Sequence, residues 1–223
     1  MRIMLVGEGP HDIGEARSWD ARKQSYVTLP GWLQPIVSAA TGSVVSFEAM
    51  RRVSLQIQPR DPLRSGLPPG HVAKAYLAKR RAVQENFDLL IFMADADSPN
   101  VADWRRIVAE IEDGFSRAEG ATRCIACVPM SVSESWLLAD PSAWEAVCGS
   151  TVECLPLKPE SSWGHRNDPA GNHPKRFFAR ICDVAGVSDN RATRVSIAEA
   201  LDLSIARRRC SQSMDPFISQ IEG

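Results

Sequence analysis

The stretch "LLIFMADADSPN" at residues 89–100 constrains the fold more than any other part of the chain. Its first six residues, 89–94, form an uninterrupted apolar run. Such a run is typical of a parallel strand that is buried on both faces in the centre of a sheet. Two carboxylates, Asp95 and Asp97, follow it directly. The stretch therefore predicts a central strand with a strongly acidic end.

Alternating strand and helix patterns surround this central strand. Short apolar runs predict further strands at residues 2–6, 44–48, 53–57 and 124–130. Apolar spacing predicts helices at residues 30–40 and 71–87, and a third helix that is capped by Ser98 and begins at Pro99. Prolines cluster in residues 58–70, which predicts a loop there. The order predicts an α/β fold with a central parallel sheet of about four strands flanked by helices.

The C-terminal part has a helical pattern without strands. Helices are predicted at residues 133–139, 142–147, 174–186 and 196–210. Ser196 and Glu199 have the spacing of a capping box, and residues 149–174 are rich in Pro, Ser and Gly and predict irregular structure. We therefore divide the chain into an α/β domain at 1–148 and an irregular segment with a helical appendage at 149–223, packed on the same domain.

Composition limits the partners and the compartment. The chain has 26 basic and 27 acidic residues, so any contact with nucleic acid must come from local patches or from a partner. The N-terminus lacks the pattern of a signal peptide, and no run approaches the roughly 18 apolar residues of a membrane span. We expect a soluble cytoplasmic protein.

The CxxC of Cys124 and Cys127 lacks a second pair at zinc-site spacing, which favours buried, reduced thiols over a metal or redox role.

Acidic residues follow three of the predicted strands. They are Glu8 and Asp12 after the first strand, Asp95 and Asp97 after the central strand, and Glu134 and Asp140 after the strand at 124–130. Because the carboxyl ends of parallel strands meet at one edge of a sheet, these acids are expected to converge there. Converging carboxylates repel one another unless a cation lies between them, and an all-oxygen set suits Mg²⁺ or Mn²⁺.

Simpler interpretations of these residues stay open. An Asp-x-Asp pair at a strand end is often a turn with local hydrogen bonds. Asp140 is interpreted as a helix cap rather than a ligand, and Glu134 equally as a first-turn acid that the helix dipole stabilises. The charge runs at 79–81 and 207–210 are interpreted as solvated helix faces rather than as a nucleic-acid footprint.

"VGEGPHD" at residues 6–12 and "ADAD" at 94–97 together resemble the TOPRIM fold of topoisomerases, primases and overcoming-lysogenization-defect nucleases. In that fold a glutamate follows the first strand and an Asp-x-Asp pair ends a later one. The segments "VPMSVSESWLLAD", "HPKRFFARI" and "IAEALDLSIARRRCSQSMDPFI" extend the resemblance to a stand-alone TOPRIM-like family of bacterial proteins of unknown function. The resemblance implies a Rossmann-like parallel sheet. The length of the segment at 58–70 departs from the pattern and leaves the second strand uncertain.

The resemblance also implies roles for individual residues. Glu8 would be a metal ligand or general acid–base, Asp95 and Asp97 would be metal ligands, and Asp12 and Glu134 would serve a second ion. Lys175 would be catalytic and substrate-binding through its charge on the phosphate, with a solvated first-turn lysine as the alternative. His11 would contact substrate, whereas His165 and His173 are weaker candidates for contacts with each other or with phosphate.

Three functions follow from these expectations. The first is a Mg²⁺-dependent TOPRIM-type nuclease acting on DNA or RNA, as the effector of a bacterial anti-phage defence system with a partner ATPase. The second is a silent or regulatory interaction subunit, since the chain itself has no GxxxxGK[ST] motif for ATP. The third is a nucleotide-sugar transferase, which also uses Asp-x-Asp with Mn²⁺ but does not need Glu8, Asp12 and Glu134.

Overall fold

The computed structural model describes residues 1–20, 25–57, 66–152 and 154–223, with the side chains of residues 16–28 outside the description. The strands are β1 (Arg2–Gly7), β2 (Glu15–Asp20), β3 (Ser25–Leu29), β4 (Ser46–Arg51), β5 (Leu89–Met93) and β6 (Arg123–Cys127). The helices are α1 (Pro10–Ile13), α2 (Leu33–Thr41), α3 (His71–Gln84), α4 (Val101–Arg117), α5 (Glu134–Leu137), α6 (Pro141–Cys148), α7 (Pro174–Val184), α8 (Arg191–Ala200), α9 (Leu203–Arg209) and α10 (Met214–Glu222).

Four of these strands form one all-parallel sheet in the order β4-β1-β5-β6. This confirms the predicted α/β class with a central parallel sheet of about four strands. β1 lies between β4 and β5, with Gly7 opposite Arg51 and Val6 opposite Phe92. The carboxyl ends of these strands therefore meet at the same edge of the sheet.

Alternate strand residues enter two different cores. Ile3, Leu5 and Ile91 face a core shared with α2 and with the C-terminal helices, where Trp136 and Phe217 also lie. The residues between them face the second core, under α3 and α4. Helices thus cover both faces of the sheet, which explains why the central strand has no polar side. α10 packs against β6, and α7–α9 contribute to the same core. Within the described residues, no helix has the length and apolar character needed to cross a membrane.

β2 and β3 form a separate antiparallel pair that sequence reasoning missed. The pair follows α1, and its register shifts between Ala16 and Trp19. The prediction of a loop at 58–70 falls largely on residues 58–65, which lie outside the described residues.

The prediction of strands at 44–48 and 53–57 was wrong in its boundaries. One strand, β4, spans Ser46–Arg51, and a short 3-10 helix at Arg52–Ser54 follows it. β4 is defined by its pairing with β1 and is an edge strand of the sheet, so its own apolar pattern is weak. This shift places two arginines, Arg51 and Arg52, at the edge where the carboxyl ends of the strands meet.

Two predicted helix starts were also wrong. The helix predicted at 196–210 is two helices, because Asp202 ends the first and caps α9 through Ser204 N–H at 2.8 Å. α8 begins at its own cap, Asn190, so the Ser196–Glu199 spacing lies inside a helix and is not a capping box. α4 is capped by Asn100, which accepts from Ala102 N–H at 2.8 Å, rather than by Ser98.

The two cysteines of the CxxC lie on β6 as free thiols. Cys127 is fully buried in the core, and its burial raises the pKa of the thiol well above its ordinary value. Cys124 is half-buried, and burial raises the pKa of its thiol to about 11. Both thiols are therefore protonated at neutral pH, which agrees with a structural role.

We expect Gly114→Ala to destabilise the contact between α3 and α4. A Cβ at Gly114 would overlap the carbonyl oxygen of Val72 and the side chain of Ala75. Overpacking of this kind costs about 1–3 kcal/mol, against which the helix-propensity gain of up to about 1 kcal/mol is small. Urea unfolding would measure the change, with Gly66→Ala as the control because nothing lies within 4 Å of a Cβ there. Equal stability of Gly114→Ala and the wild type would contradict this packing.

Candidate functional site

The chain turns sharply after β1 and carries Glu8 and Asp12 around the sheet edge. Gly7 permits the turn, because a Cβ there would lie 2.7 Å from Cγ2 of Ile13 in the next helix. α1 then positions Asp12, whose Oδ1 accepts a hydrogen bond of 2.8 Å from Nε1 of the buried Trp32. Asp12 is thus held at the sheet edge by a core residue.

The segment after β5 continues along β6 and fixes Asp95. Ala94 N–H and Ala96 N–H donate to the carbonyls of Cys127 and Pro129 at 3.0 and 3.1 Å. Asp95 Oδ1 accepts from Ser133 N–H at 2.9 Å, and the Asp95 side chain is 19% exposed. The carboxylate is therefore held in one orientation close to the neighbouring strand ends.

Asp97 does not continue the strand geometry. Its φ of 48° lies in the left-handed region, and its side chain is exposed. Asp95 and Asp97 would aim at one point only if extended backbone continued through both residues, and at Asp97 it does not. Asp97 still acts on the site, since it contributes to the raised pKa of Asp95, although less than Glu134 and Asp12 do.

Glu8, Asp12 and Asp95 line the same small cavity, with Met93 and Ala94 completing its wall. Its volume is about 20 Å³, comparable to the space that one water-sized group occupies. The structure thus brings together three of the acids that the sequence predicted to converge.

Two of the carboxyls in this cavity, those of Asp95 and Asp12, are electrostatically unfavourable as anions. Burial, followed by the charges of Glu134 and Asp12, raises the pKa of Asp95 to about 8. Burial also raises the pKa of Asp12, against the lowering effect of its hydrogen bond from Trp32. Without a bound cation, Asp95 is accordingly protonated at neutral pH.

Lys175 supplies positive charge beside Asp95. It lies in the first turn of α7, and its Nζ is 4.0 Å from Asp95 Oδ2. The lysine lowers the pKa of Asp95, but the opposing effects of burial and of the neighbouring carboxylates are larger. The structure thus places Lys175 beside the predicted acids, as its candidate role requires.

Arg52 is a cation of the site that sequence reasoning missed. Its guanidinium forms an ion pair with the Glu8 carboxylate, and Arg51 Nε donates to the Glu8 carbonyl at 3.4 Å. Burial lowers the pKa of Arg52, while Asp95 and Asp97 oppose this effect. In the sequence, the "RR" at 51–52 could have indicated this cation. It lies at the sheet edge only when β4 is placed at Ser46–Arg51.

Glu134 is buried and is neutralised by a second missed cation, Arg194. Arg194 Nη1 lies 2.8 Å from Glu134 Oε1, and Arg194 Nε lies 2.9 Å from Asp189 Oδ1. Burial lowers the pKa of Arg194, but these two carboxylates outweigh it and raise the pKa above its ordinary value. Glu134 therefore stabilises the fold through this pair, and its role as a metal ligand stays a prediction.

The other candidates have mainly structural contacts. Asp140 is fully buried and caps α6 through Ser142 N–H at 2.9 Å, as predicted. His173 caps α7 and packs on Trp163, whereas its contact with His165 or with phosphate stays a prediction. His11 lies exposed on α1.

The two basic runs also contact their own fold. Arg81 forms an ion pair with Glu85, and Lys79 Nζ donates to the carbonyl of Phe115 at 3.1 Å. Arg207 forms ion pairs with Asp215 and Glu222. These contacts support the interpretation of both runs as helix faces that stabilise the fold.

The donor chemistry of the cavity suits a hard divalent cation, because Glu8, Asp12 and Asp95 offer oxygen ligands only. In the described parts of the chain, however, no three His, Cys, Asp or Glu side chains are grouped so as to hold a metal ion. Asp12 and Asp95 are the residues that would hold a cation first. Glu8 would join them only after leaving Arg52.

The chain belongs to the family described as a domain of unknown function (DUF4276), whose model matches residues 25–222. Asp95, Asp97, Glu134 and Lys175 lie within the matched region, whereas Glu8 and Asp12 precede it. No curated protein and no solved structure matches the chain.

We expect Asp95→Asn to stabilise the protein increasingly as the pH rises. Asp95 titrates near 8 in the folded state and near 3.8 when unfolded, so ionisation costs stability as the pH rises between these values. In EDTA, the free energy of unfolding of the mutant should gain about 1–3 kcal/mol on the wild type between about pH 5 and pH 9. Asp183→Asn, which removes an exposed carboxylate from α7, is the matched control. A difference that does not change with pH would contradict the raised pKa.

We expect Glu134→Gln to destabilise the fold by about 2 kcal/mol or more, because it leaves the buried Arg194 guanidinium with Asp189 as its remaining carboxylate partner. Exposed Glu145 on α6 provides the control Glu145→Gln. Thermal and urea unfolding would measure both variants. A stability loss confined to solutions containing Mg²⁺ would instead make Glu134 a ligand.

Proposed function

We propose that this protein is a divalent-metal-dependent nuclease that hydrolyses phosphodiester bonds of DNA or RNA. The observation that carries the proposal is the position of Asp95, a largely buried carboxylate beside Asp12 and Glu8 at the carboxyl edge of a parallel sheet. The pKa of about 8 reflects burial first, and then an excess of negative charge from Glu134 and Asp12. A bound cation relieves that excess, and functional sites are where such unfavourable charges are kept.

The residues around the cavity have distinct proposed roles. Asp95 and Asp12 hold the cation, and Glu8 acts as a further ligand or as the general base that takes a proton from water. Mg²⁺ or Mn²⁺ bound there supplies Lewis-acid activation of the phosphate and of water. Lys175, 4.0 Å from Asp95, binds a phosphate oxygen and stabilises the charge that develops on it.

Arg52 adds a switch to this arrangement. When no substrate is present, its guanidinium pairs with Glu8 and holds that carboxylate away from a ligand role. Arrival of a phosphate gives Arg52 an alternative anion, which frees Glu8 for the cation or for water. Asp97, exposed beside the cavity, contributes negative charge and remains a proposed outer ligand.

The resemblance to TOPRIM nucleases supports the same chemistry. The glutamate after the first strand and the Asp-x-Asp after a central strand occupy adjacent parallel strands, β1 and β5, as a shared site requires. By the same resemblance, we propose that the protein is the effector subunit of a bacterial defence system and acts with a separate ATPase.

A second candidate is a silent or regulatory interaction subunit. Two observations favour it: Glu8 and Glu134 are each neutralised by an arginine, and the described residues contain no preassembled group of three ligands. In this alternative the arginines take the place of metal ions permanently, and the site serves to stabilise a surface for a partner.

We expect the wild type to cleave plasmid DNA, single-stranded DNA or RNA in the presence of Mg²⁺ or Mn²⁺. Asp95→Asn should lower the rate by at least about 100-fold, since the ligand charge is lost while the hydrogen bond from Ser133 is kept. Lys175→Met should lower the rate at saturating metal, because its role is on the phosphate. Cleavage assays with and without a neighbouring ATPase would measure these rates.

Asp183→Asn is the matched control and should retain wild-type activity, since Asp183 is exposed near the end of α7. Undiminished cleavage by Asp95→Asn would remove the metal-site argument. Inactivity of the wild type on every substrate, with and without the ATPase, would favour the regulatory subunit.

A further inference from the structure

We propose that Trp163 is a stacking platform for an unpaired base, and that it holds single-stranded nucleic acid beside the carboxylate site. The inference rests on the proposed nuclease function and adds the strandedness of the substrate and the side chain that selects it.

Trp163 differs from the core tryptophans of the chain. Trp32, Trp136 and Trp144 are fully buried, whereas Trp163 is 38% exposed. The Trp163 ring packs against His173, with 5.0 Å between ring centroids and 44° between planes. His173 is itself buried and is fixed by accepting a hydrogen bond from Lys175 N–H. The indole is therefore supported by His173, while 38% of the residue faces solvent.

The residue before Trp163 is tied through Ser131 to the segment that follows Asp97. Ser131 Oγ donates to the carbonyl of Ser162 at 3.1 Å, and Ser131 N–H donates to the carbonyl of Ser98 at 2.9 Å. Ser98 directly follows Asp97 in the sequence.

A second connection runs through α7. His173, under the Trp163 ring, caps the helix whose first turn carries Lys175, and Lys175 Nζ is 4.0 Å from Asp95. Burial and the charge of Lys175 lower the pKa of His173, and the negative charges of Glu134 and Asp97 oppose this effect. The platform thus adjoins the candidate phosphate-binding lysine.

The segment around Trp163 is basic although the chain is not. Residues 156–180 contain five Lys or Arg and two Asp or Glu, a balance of +3 against −1 for the whole chain. One of the two acids, Glu160, is buried and accepts hydrogen bonds from Gln212 N–H and Ser213 N–H, both at 2.9 Å. The other, Asp168, is exposed.

Exposed basic side chains therefore dominate this surface. Lys158, Arg166 and Arg176 are exposed, and Lys158 and Trp163 line a cleft of about 440 Å³ together with Asn172 and Phe177. An aromatic ring and a lysine in one cleft match the two surfaces of a nucleotide, its flat base and its charged phosphate.

Single strands fit this surface better than duplexes. The face of an indole can stack on a base only when that base is free of its neighbours, as in single strands, loops and ends. Stacking on an aromatic side chain is tolerant of sequence, because every base has a π face. DNA and RNA share this chemistry, so the platform selects strandedness rather than sugar.

The test measures binding without cleavage. Fluorescein-labelled oligonucleotides of about 16 nucleotides, oligo(dT), oligo(U) and a hairpin duplex, would be titrated in EDTA and followed by anisotropy. We expect both single strands to bind more tightly than the duplex. Trp163→Ala should weaken single-strand binding by about 5- to 150-fold, while Trp163→Phe keeps most of the affinity. Val184→Ala, which changes an exposed apolar side chain on α7, should have no effect.

Further measurements keep a folding defect apart from a lost contact. Oligonucleotide addition should quench tryptophan fluorescence in the wild type, and Trp163→Phe should abolish the quench while retaining binding. Lys158→Gln should lower the salt dependence of single-strand affinity by about 0.7 in log–log slope. Unchanged affinity in Trp163→Ala, or equal binding of duplex and single strands, would overturn the platform.

The outcome separates the platform from the nuclease. If single-strand binding depended on Trp163 but the protein never cleaved, the platform proposal would be supported and the nuclease proposal contradicted. Cleavage that needs Asp95 but proceeds equally in Trp163→Ala on all substrates would do the reverse. Absence of any nucleic-acid binding, with a protein ligand bound instead, would overturn the platform.

Discussion

The parallel pairing of β1 with β4 on one side and β5 on the other is the constraint on which the candidate site depends. Each of these strands ends at the same edge, so three short segments that are distant in sequence meet there. Glu8 comes from the first, Arg52 from the second and Asp95 from the third. The pairing is secured by alternate apolar residues that enter two separate cores, one on each face of the sheet.

Convergence of acids at this edge creates a charge that the protein neutralises in different ways. Glu8 and Glu134 each pair with an arginine. Asp12 and Asp95 have no such close arginine pair among the described contacts; Trp32 and Ser133 donate hydrogen bonds to them, and Lys175 stands 4.0 Å from Asp95. Burial then raises the pKa of both carboxyls.

The acids at this edge differ in whether an arginine pairs with them, and this difference bears on function. Glu134 has a close cation in Arg194, and removing one partner of such a buried pair is costly to the fold. Asp95 instead retains a protonatable carboxyl at the wall of a small cavity that Glu8 and Asp12 share. A cation that displaced this proton would be bound by Asp95 and by the neighbouring carboxylate, and it would remove the repulsion between the two.

The sequence predicted the parts of the fold that a local pattern can specify. The patterns of β1, β5, β6, α3 and α4 are strong. β1 and β5 are almost wholly buried, β6 is buried over its last three residues, and the two helices are amphipathic. β4 was misplaced because it is an edge strand whose register comes from β1. The β2–β3 pair was missed because its partner strands stabilise each other outside the main sheet.

The candidate site was predictable to a similar extent. Glu8, Asp12 and Asp95 follow strands, so topology alone brought them together. The arginines that oppose the acids were not predictable, since Arg52 depends on the end of β4 and Arg194 reaches Glu134 from 60 residues further along the chain. The backbone at Asp97 was also beyond the pattern, because a left-handed φ at that residue reflects the path to Ser98 and its bridge to Ser131.

We propose that the Asp95 carboxyl is a cation ligand that stays protonated until the ion arrives. Titration calorimetry of Mn²⁺ at pH 7, repeated in buffers of different ionisation enthalpy, measures the protons released on binding. Because the pKa of Asp95 is about 8, we predict release of about one proton per ion in the wild type and near zero in Asp95→Asn. No binding of Mn²⁺, or the same proton release in both proteins, would contradict it.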